Sequence, residues 1–369
     1  MRRILHISKY YSPIVGGIED VCYNVVSILK KSHEQYVISF NESSDTVESV
    51  VDGVPVLRSG SMGVVASQPI SLRIFRDLRR VLKSFDPDIV TLHLPNPLLC
   101  LYVLLLLSKS VKLVLHWHSD IVAQKFLYTL IRPIESRIIR RADTIIVTSP
   151  PYLEHSQSLS QYKEKCVIVP NVISLDKMAL KDSNRVLEIK EQYNNKPIVF
   201  FMGRHVEYKG IRYLIEAERF IDSDCVILVA GSGPLTEKLK TQSNDKRIVF
   251  LGRIKDEDIA PYMHAADIFA FPSITKNEAF GVVLAEAMYC KAVPVTFNIP
   301  CSGVNWVSIN SETGIEVENS NPQAYANAVD YLISNADVRR IMAEKAYERV
   351  MHYFISDSIK DRLYSIYTI

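Results

Sequence analysis

Several things this 369-residue chain lacks narrow its reading at once. Its six cysteines (Cys22, Cys100, Cys166, Cys225, Cys290 and Cys301) are scattered, with no C-x-x-C pair and no metal-ligand spacing. Neither a disulfide framework nor a zinc module is indicated, and a reduced cytoplasmic protein with small buried thiols is the economical reading. The nine histidines form no H-x-x-x-H helix, so the common zinc-hydrolase pattern is absent. No G-x-G-x-x-G follows the first predicted strand, and no acid ends the second at the distance a dinucleotide ribose needs. Both absences argue against a nicotinamide-dependent dehydrogenase. The longest apolar run, residues 98–107, has ten residues, where a spanning helix needs about 20. Arg2-Arg3 precedes an apolar stretch too short for a signal peptide. No aromatic-basic stripe accompanies the positive charge, so nucleic acid is not an expected partner.

What is present describes an ordinary globular protein, 48% hydrophobic and 23% charged, long enough for two or three domains with cores of their own. The net charge of +2 is uneven: residues 1–170 carry 20 Lys+Arg against 15 Asp+Glu, and the remainder carries 23 against 26. The basic excess clusters at Arg73, Arg76, Arg79, Arg80 and Lys83, and again at Arg132, Arg137, Arg140 and Arg141. Such clusters are solvated helix faces or, beside apolar neighbours, a contact with an anionic bilayer surface.

Short β-branched runs alternate with helix-period segments throughout, the pattern of parallel sheets built from βαβ units. Strands are expected at 3–7, 36–40, 55–58, 89–93, 112–116, 144–148 and 166–169, then at 198–202, 226–230, 248–251, 268–271 and 293–296. Helices are expected between them, notably at 18–30, 72–85, 96–108 and 121–140. The fold class is therefore α/β, with two doubly wound domains and an active cleft between them. The boundaries read as an N-terminal domain at 1–172, a polar linker at 173–195, a second domain at 196–350, and a C-terminal helix at 351–369 free to pack back on the first domain.

Glu278 and Glu286, with seven residues between them, carry the most information. The stretch turns apolar with helical spacing from Phe280, so a helix should begin near Gly281. The first acid then precedes the helix and the second lies inside it, with unsatisfied backbone N–H groups between, an anion site. Acids flanking a phosphate site suit a ligand with hydroxyls at both ends and phosphates in the middle, the layout of a nucleotide sugar. Upstream, the run 197–202 reads as a buried strand ending in Gly203-Arg204, with Lys209-Gly210 before the next helix. An Arg fork and a mobile Lys charge at a strand's carboxyl end are placed to meet phosphate.

In the first half, Gly16-Gly17-Ile18-Glu19 stands at a helix start, where paired glycines let backbone approach a phosphate or sugar. His93-Leu94-Pro95-Asn96-Pro97 forms a stiff loop with Asn96 near its opening. His116-Trp117-His118-Ser119-Asp120 ends the next strand, and alternation puts both histidines on one side and Trp117 on the other.

Together these segments resemble family 4 of the retaining glycosyltransferases, continuously over residues 197–335 and more patchily before. Gly203-Arg204 through Lys209-Gly210 resembles the family's phosphate loop, and Pro272-Ser273 through Glu286-Ala287 its E-x7-E signature. Ala230-Gly231-Ser232-Gly233-Pro234, Phe250-Leu251-Gly252-Arg253 and Thr313-Gly314 fall in family order. Gly16-Gly17-Ile18-Glu19 and His118-Ser119-Asp120 match its acceptor-side motifs. The family departs from this chain at Ala279, where Gly or Pro is frequent, and at Val172, where Gly is.

The resemblance implies the two-domain GT-B fold. It implies that Arg204 and Lys209 neutralise the donor diphosphate and that Glu278 holds hydroxyls of the transferred sugar. Backbone around Ala279, Phe280, Gly281 and Val282 would grip phosphate oxygens, with Gly203, Gly231, Gly16 and Gly17 close to the donor. Glu286 would accept from ribose, and Arg253 with Ile254 would carry contacts to the base. His118 would lie near the transferred sugar, with Glu19, Asn96, Ser119 and Asp120 on the acceptor side.

The expected activity is transfer of a hexosyl group, mannose from GDP-mannose in the first instance, to a lipid-linked saccharide in bacterial surface polysaccharide synthesis. The enzyme would work without a metal or cofactor at the cytoplasmic face of the inner membrane. A UDP-sugar-dependent transferase of the same family, a same-fold UDP-sugar epimerase and a non-catalytic nucleotide-sugar-binding protein are the competing readings.

Overall fold

The central strands of this protein are short apolar runs buried on both faces, which is what a parallel sheet between two helical layers demands. The computed structural model describes residues 1–14, 16–65, 68–120, 125–243 and 247–368. It divides into two compact units, the first made of Met1–Val172 with Ile359–Ile369, the second of Ile173–Ser358.

In the first unit the strands are β1 (Arg3–Ile7), β2 (Glu34–Phe40), β3 (Val47–Val51), β4 (Val54–Ser59), β5 (Gly63–Val65), β6 (Gln68–Ile70), β7 (Ile89–Leu94), β8 (Lys112–Trp117), β9 (Thr144–Val147) and β10 (Cys166–Ile168). The sheet order is β10-β9-β8-β7-β1-β2-β4-β3. Only the edge strand β3 runs antiparallel, against β4, while β5 and β6 form a separate antiparallel ribbon. The chain winds outward in one direction from β1 and then in the other from β7, so the switch point lies between β1 and β7.

The second unit holds β11 (Ile198–Met202), β12 (Val226–Ala230), β13 (Ile248–Gly252), β14 (Ile268–Phe271), β15 (Val293–Phe297) and β16 (Ile315–Val317). All pair in parallel in the order β13-β12-β11-β14-β15-β16, the Rossmann arrangement, with the switch point between β11 and β14. Its core is one continuous apolar cluster around Phe200, Phe201, Phe269 and Phe271.

Three expectations change. Residues 173–195 are not a free linker: helices Leu175–Met178 and Ser183–Gln192 belong to the second unit. Arg185 pairs with Asp258 at 3.0 Å, and His264 Nε2 lies 3.0 Å from the Met178 carbonyl. The helix expected to start at 351 is also two elements. Ala336–Tyr353 stays with the second unit, and the chain rejoins the first only from Ile359. There Tyr367 Oη lies 2.9 Å from Thr91 Oγ1, and Arg362 donates to the Ile168 carbonyl at 2.6 Å. The helix expected at 121–140 is observed as Lys125–Arg141, and 121–124 lie outside the described residues.

Val172, where the family often has glycine, is buried without a left-handed backbone. Among the described residues no helix is long and apolar enough to cross a membrane.

Candidate functional site

At the switch point of the second unit, two loops leave adjacent parallel strands and are knitted together. The Ile274 N–H donates to the Tyr208 carbonyl at 2.9 Å. Gly210, at φ +62°, lies so close that a Cβ there would meet the Pro272 carbonyl oxygen at 2.0 Å. Only glycine fits that crossing. The result is that Lys209, from the loop after β11, meets Glu278, from the loop after β14. Their side chains form a hydrogen-bonded ion pair, 11% and 12% exposed respectively. Ser273 Oγ donates to the same carboxylate at 3.2 Å, and the ammonium lies 5.2 Å from the Phe271 ring centre. Burial alone would lower the Lys209 pKa, but Glu278 and Tyr208 outweigh it and hold the group above its ordinary value.

The helix that follows is Val282–Tyr289, with Gly281 before it at φ +86°. Among the described residues the N–H groups of Phe280, Gly281 and Val282 have no acceptor. The carbonyls of that turn are occupied instead: Ser302 Oγ donates to Glu278 O, and Gly303 N–H donates to Ala279 O at 3.0 Å. Holding the turn by its carbonyls leaves the N–H groups and the helix dipole for an anion. Glu286 sits half-buried on the second turn, and its charge adds to burial in raising the Cys290 thiol pKa.

Arg204 is exposed, and among the described residues it makes no ion pair or side-chain hydrogen bond. Its charge is nonetheless felt at Lys209, whose pKa it depresses. Gly203, Gly231 and Gly252 end neighbouring strands in contact: Gly203 N–H reaches Ala230 O at 3.2 Å, and Gly231 N–H reaches Gly252 O at 2.7 Å. Beyond Gly252, Arg253 is exposed and Ile254 half-buried.

The first unit's switch point is chemically different. His6 lies near the end of β1, His93 lies on β7, and His116 and His118 lie on and just after β8, all buried. His116 and His118 stack with ring centres 4.3 Å apart, as strand alternation requires, and His93 Nδ1 lies 3.1 Å from His118 Nε2. Burial pushes every one of these pKa values down, His6 to about 4 and His118 to about 3, so all four rings are neutral at pH 7. Trp117 faces the other way and donates from Nε1 to Asp120 at 3.0 Å.

Nearby, Gly16 and Gly17 open the helix Gly17–Leu29. The Glu19 carboxylate folds back over Gly16, where a Cβ would lie 2.4 Å from Oε2. Burial raises the Glu19 pKa against the opposing pull of its own and Ile18's backbone N–H groups.

Two residues expected on the acceptor side have structural partners. Asn96 is buried, and its Oδ1 caps the helix Pro97–Leu106 by accepting from Leu99 N–H at 3.0 Å. Asp120 Oδ1 accepts from both Trp117 Nε1 and, at 2.8 Å, Ser156 Oγ, holding the loop that carries His118 and the half-buried Ser119. Sequence reasoning passed over Ser273, Ser302, His6 and Gln35 as site residues. Only contacts made through the fold reveal them.

Known proteins resemble both halves. Residues 15–177 match the model for Glycosyltransferase Family 4, and residues 182–349 match the model for Glycosyl transferases group 1. The D-rhamnosyltransferase WbpZ of Pseudomonas aeruginosa is 31% identical over 360 residues, 95% of this chain and 92% of the relative. The O-antigen chain mannosyltransferase C of Escherichia coli is 27% identical over 373 residues, 99% and 98% of the two chains. Among solved structures, sucrose-phosphate synthase from Thermosynechococcus elongatus superimposes with a TM-score of 0.83 at 21% identity, covering 100% of this chain and 98% of that one. Anabaena HepE in complex with UDP-glucose superimposes with a TM-score of 0.81 at 18% identity, covering 100% of both. These likenesses of structure concern the fold.

Proposed function

The chain belongs to glycosyltransferase family 4, with the GT-B fold and a place in bacterial polysaccharide synthesis, and from that premise we propose that it is a retaining, metal-independent hexosyltransferase. The observation that carries this reading is the meeting of Lys209 and Glu278 beside the open N–H groups of Phe280, Gly281 and Val282. Arg204, Lys209 and that helix start supply positive potential where a diphosphate leaves, the contribution most valuable when charge develops on the departing group. Glu278, already oriented by Ser273, accepts from sugar hydroxyls. Glu286 accepts from ribose, and the Gly252-Arg253-Ile254 turn meets the base.

In the proposed step the bond from the anomeric carbon to the donor phosphate oxygen breaks. The acceptor hydroxyl attacks from the same face, and its proton passes to that phosphate oxygen. Configuration is retained without a carboxylate nucleophile.

A manno-configured sugar is the favoured group, because the relatives' names specify mannose and D-rhamnose, and D-rhamnose is 6-deoxymannose. GDP-mannose is the donor proposed. A UDP-sugar donor is the second reading, favoured by the UDP-glucose complex of the HepE fold neighbour. A thermal-shift panel of GDP, UDP and ADP with their sugars separates the two, since a ligand that binds only the folded state raises its melting point. Transfer is tested by nucleotide release with Arg204→Ala and Lys209→Ala. We expect losses on the order of 10²-fold or more, and wild-type release from both would remove the assignments.

The acceptor is proposed to be lipid-linked and met at the cytoplasmic face of the membrane. Met62, Val64, Val65 and Leu72 are exposed apolar residues beside the basic helix Arg73–Phe85. On that helix Arg80 pairs with Glu48 at 2.7 Å, while Arg76, Arg79 and Lys83 have no ion partner among the described residues. Co-flotation with anionic vesicles that survives Arg76→Glu, Arg79→Glu and Lys83→Glu would count against this surface.

A further inference from the structure

The segment 203–210 carries both cations of the second unit's site, and its two ends are pinned by different neighbours. Lys209 is fixed by its ion pair with Glu278 and by the crossing of Gly210 with the loop after β14. Arg204 has no such partner among the described residues, so its placement depends on the backbone to either side of it. On one side Gly203 N–H donates to Ala230 O at 3.2 Å. On the other, His205 is held three times. Its N–H donates to Ser232 O at 3.1 Å, its carbonyl accepts from Leu235 N–H at 3.1 Å, and its ring Nδ1 lies 3.0 Å from Thr236 Oγ1.

The ring is the part of this knot that only the side chain supplies. It belongs to a fully buried residue and lies near Phe201 and Phe250, whose ring centres are 6.3 and 6.2 Å from its own. Burial lowers its pKa, so it is neutral at pH 7 and brings no charge of its own to a loop that already carries two cations. Thr236 Oγ1 also accepts from Gly233 N–H at 2.8 Å, so the imidazole meets the turn at 231–234 through one hydroxyl. That turn passes very close: a Cβ on Gly233 would meet the His205 carbonyl oxygen at 2.5 Å. At its start Gly231 N–H donates to Gly252 O at 2.7 Å, which joins the ends of β11, β12 and β13 in series. An aliphatic side chain at 205 could fill the same space but would make no bond to Thr236.

We propose that His205 is a positioning residue: by tying the segment that carries Arg204 to the turn after β12, it fixes the point from which Arg204 reaches the donor diphosphate. The inference rests on the reading of this site as one for a nucleotide sugar. A long, unpaired arginine side chain loses rotamer freedom when it binds, and a fixed backbone origin reduces what it must search. His205 itself touches no ligand. Its effect therefore exists only while the guanidinium is there to be placed, and it is the same for GDP and UDP, because the diphosphate is common to both.

The test is a double-mutant cycle on the full chain, read as affinity for GDP and for UDP by titration calorimetry. His205→Leu should weaken whichever nucleotide the wild type binds about tenfold, the scale of one hydrogen bond. His205→Asn returns a polar atom near the position of Nδ1 and should recover most of that affinity. Thr236→Val cuts the same bond from the other side and should match His205→Leu, so the measurement stands even if the leucine variant does not fold. In an Arg204→Ala background either change should alter affinity by no more than about twofold. A further tenfold loss there would overturn the proposal, since His205 would then act on the ligand by a route other than Arg204. So would wild-type affinity in Thr236→Val, or binding of neither nucleotide by the wild type. If the cycle behaves as stated and no sugar is transferred, the transferase reading fails and the positioning role stands. If transfer proceeds and the cycle is additive, only the positioning role falls.

Discussion

The two units repeat one winding scheme and place their chemistry at the same topological position, yet one switch point is charged and the other is neutral. In the second unit, Lys209 stays ionised despite burial because Glu278 touches it. In the first, no counter-charge among the described residues reaches His93, His116 or His118, so burial strips the charge from each ring. The strand order decides where a ligand lies, and the local balance of desolvation against pairing decides what kind of ligand it is. Full charges with a helix start suit a diphosphate. Neutral imidazoles suit hydroxyl groups, which need directional hydrogen bonds and bring no charge to neutralise.

The hardest blow to this contrast is removal of one partner of the ion pair. Glu278→Ala should strand the Lys209 ammonium in a site that is nearly closed, costing about 3 kcal/mol of stability. The second unit should register this alone, followed by Trp306 fluorescence in a Trp117→Phe background during denaturant unfolding. The double change Lys209→Met with Glu278→Leu removes both charges and should return stability to within about 1 kcal/mol of wild type. Transfer should stay lost in both. If the single variant were as stable as the double, the two charges would not be coupled, and the charged half of the comparison would fall.

A pH series separates the units next. Four buried histidines of the first unit, His6, His93, His116 and His118, have folded pKa values below the ordinary 6.5. On acidification the unfolded chain takes up protons that the folded unit refuses, so stability falls as pH drops from about 6.5 towards 4. Each fully neutral histidine contributes up to about 1.4 kcal/mol per pH unit. Lys209 has the opposite sign: its pKa is raised, so its stabilisation is complete below the ordinary lysine value and is lost as pH climbs through the folded one. Trp117, read in a Trp306→Phe variant, should therefore report unfolding at a higher pH than Trp306 does when acid is added. Coincident acid midpoints would erase the distinction.

Much of this was legible beforehand because parallel strands buried on both faces must be apolar runs. The expected spans 3–7, 198–202, 226–230 and 268–271 coincide with β1, β11, β12 and β14. What escaped was structure that little apolar burial defines. The edge strand β3 is largely exposed, β5 and β6 make a ribbon of three-residue strands, and β16 is short and half-buried. The polar segment at 173–195 looked like a linker because its helices bury few side chains, Met178 and Ile189 among them.

The site divides in the same way. Lys209, Glu278 and the start of the helix after Gly281 could be read from spacing along the chain. The grouping of His6, Gln35 and His93 could not, because these residues meet only through the pairing of β1 with β2 and β7.

The smallest expected effect tests where the neutral region ends. Asn96 lies close to His93 along the chain and keeps an unpaired buried Nδ2, so by position it resembles a ligand group. Its Oδ1 already has a structural use at the start of Pro97–Leu106. Asn96→Asp should keep the cap, since a carboxylate also accepts from Leu99 N–H and suits a helix N-terminus. Asn96→Ala should cost about 1 kcal/mol of first-unit stability, read from Trp117. Neither should change KM for the sugar nucleotide, because neither touches the histidine chain. A KM that rose in both variants while stability held would move Asn96 from scaffold to ligand contact, and the neutral switch point would extend past the end of β7 to the start of Pro97–Leu106.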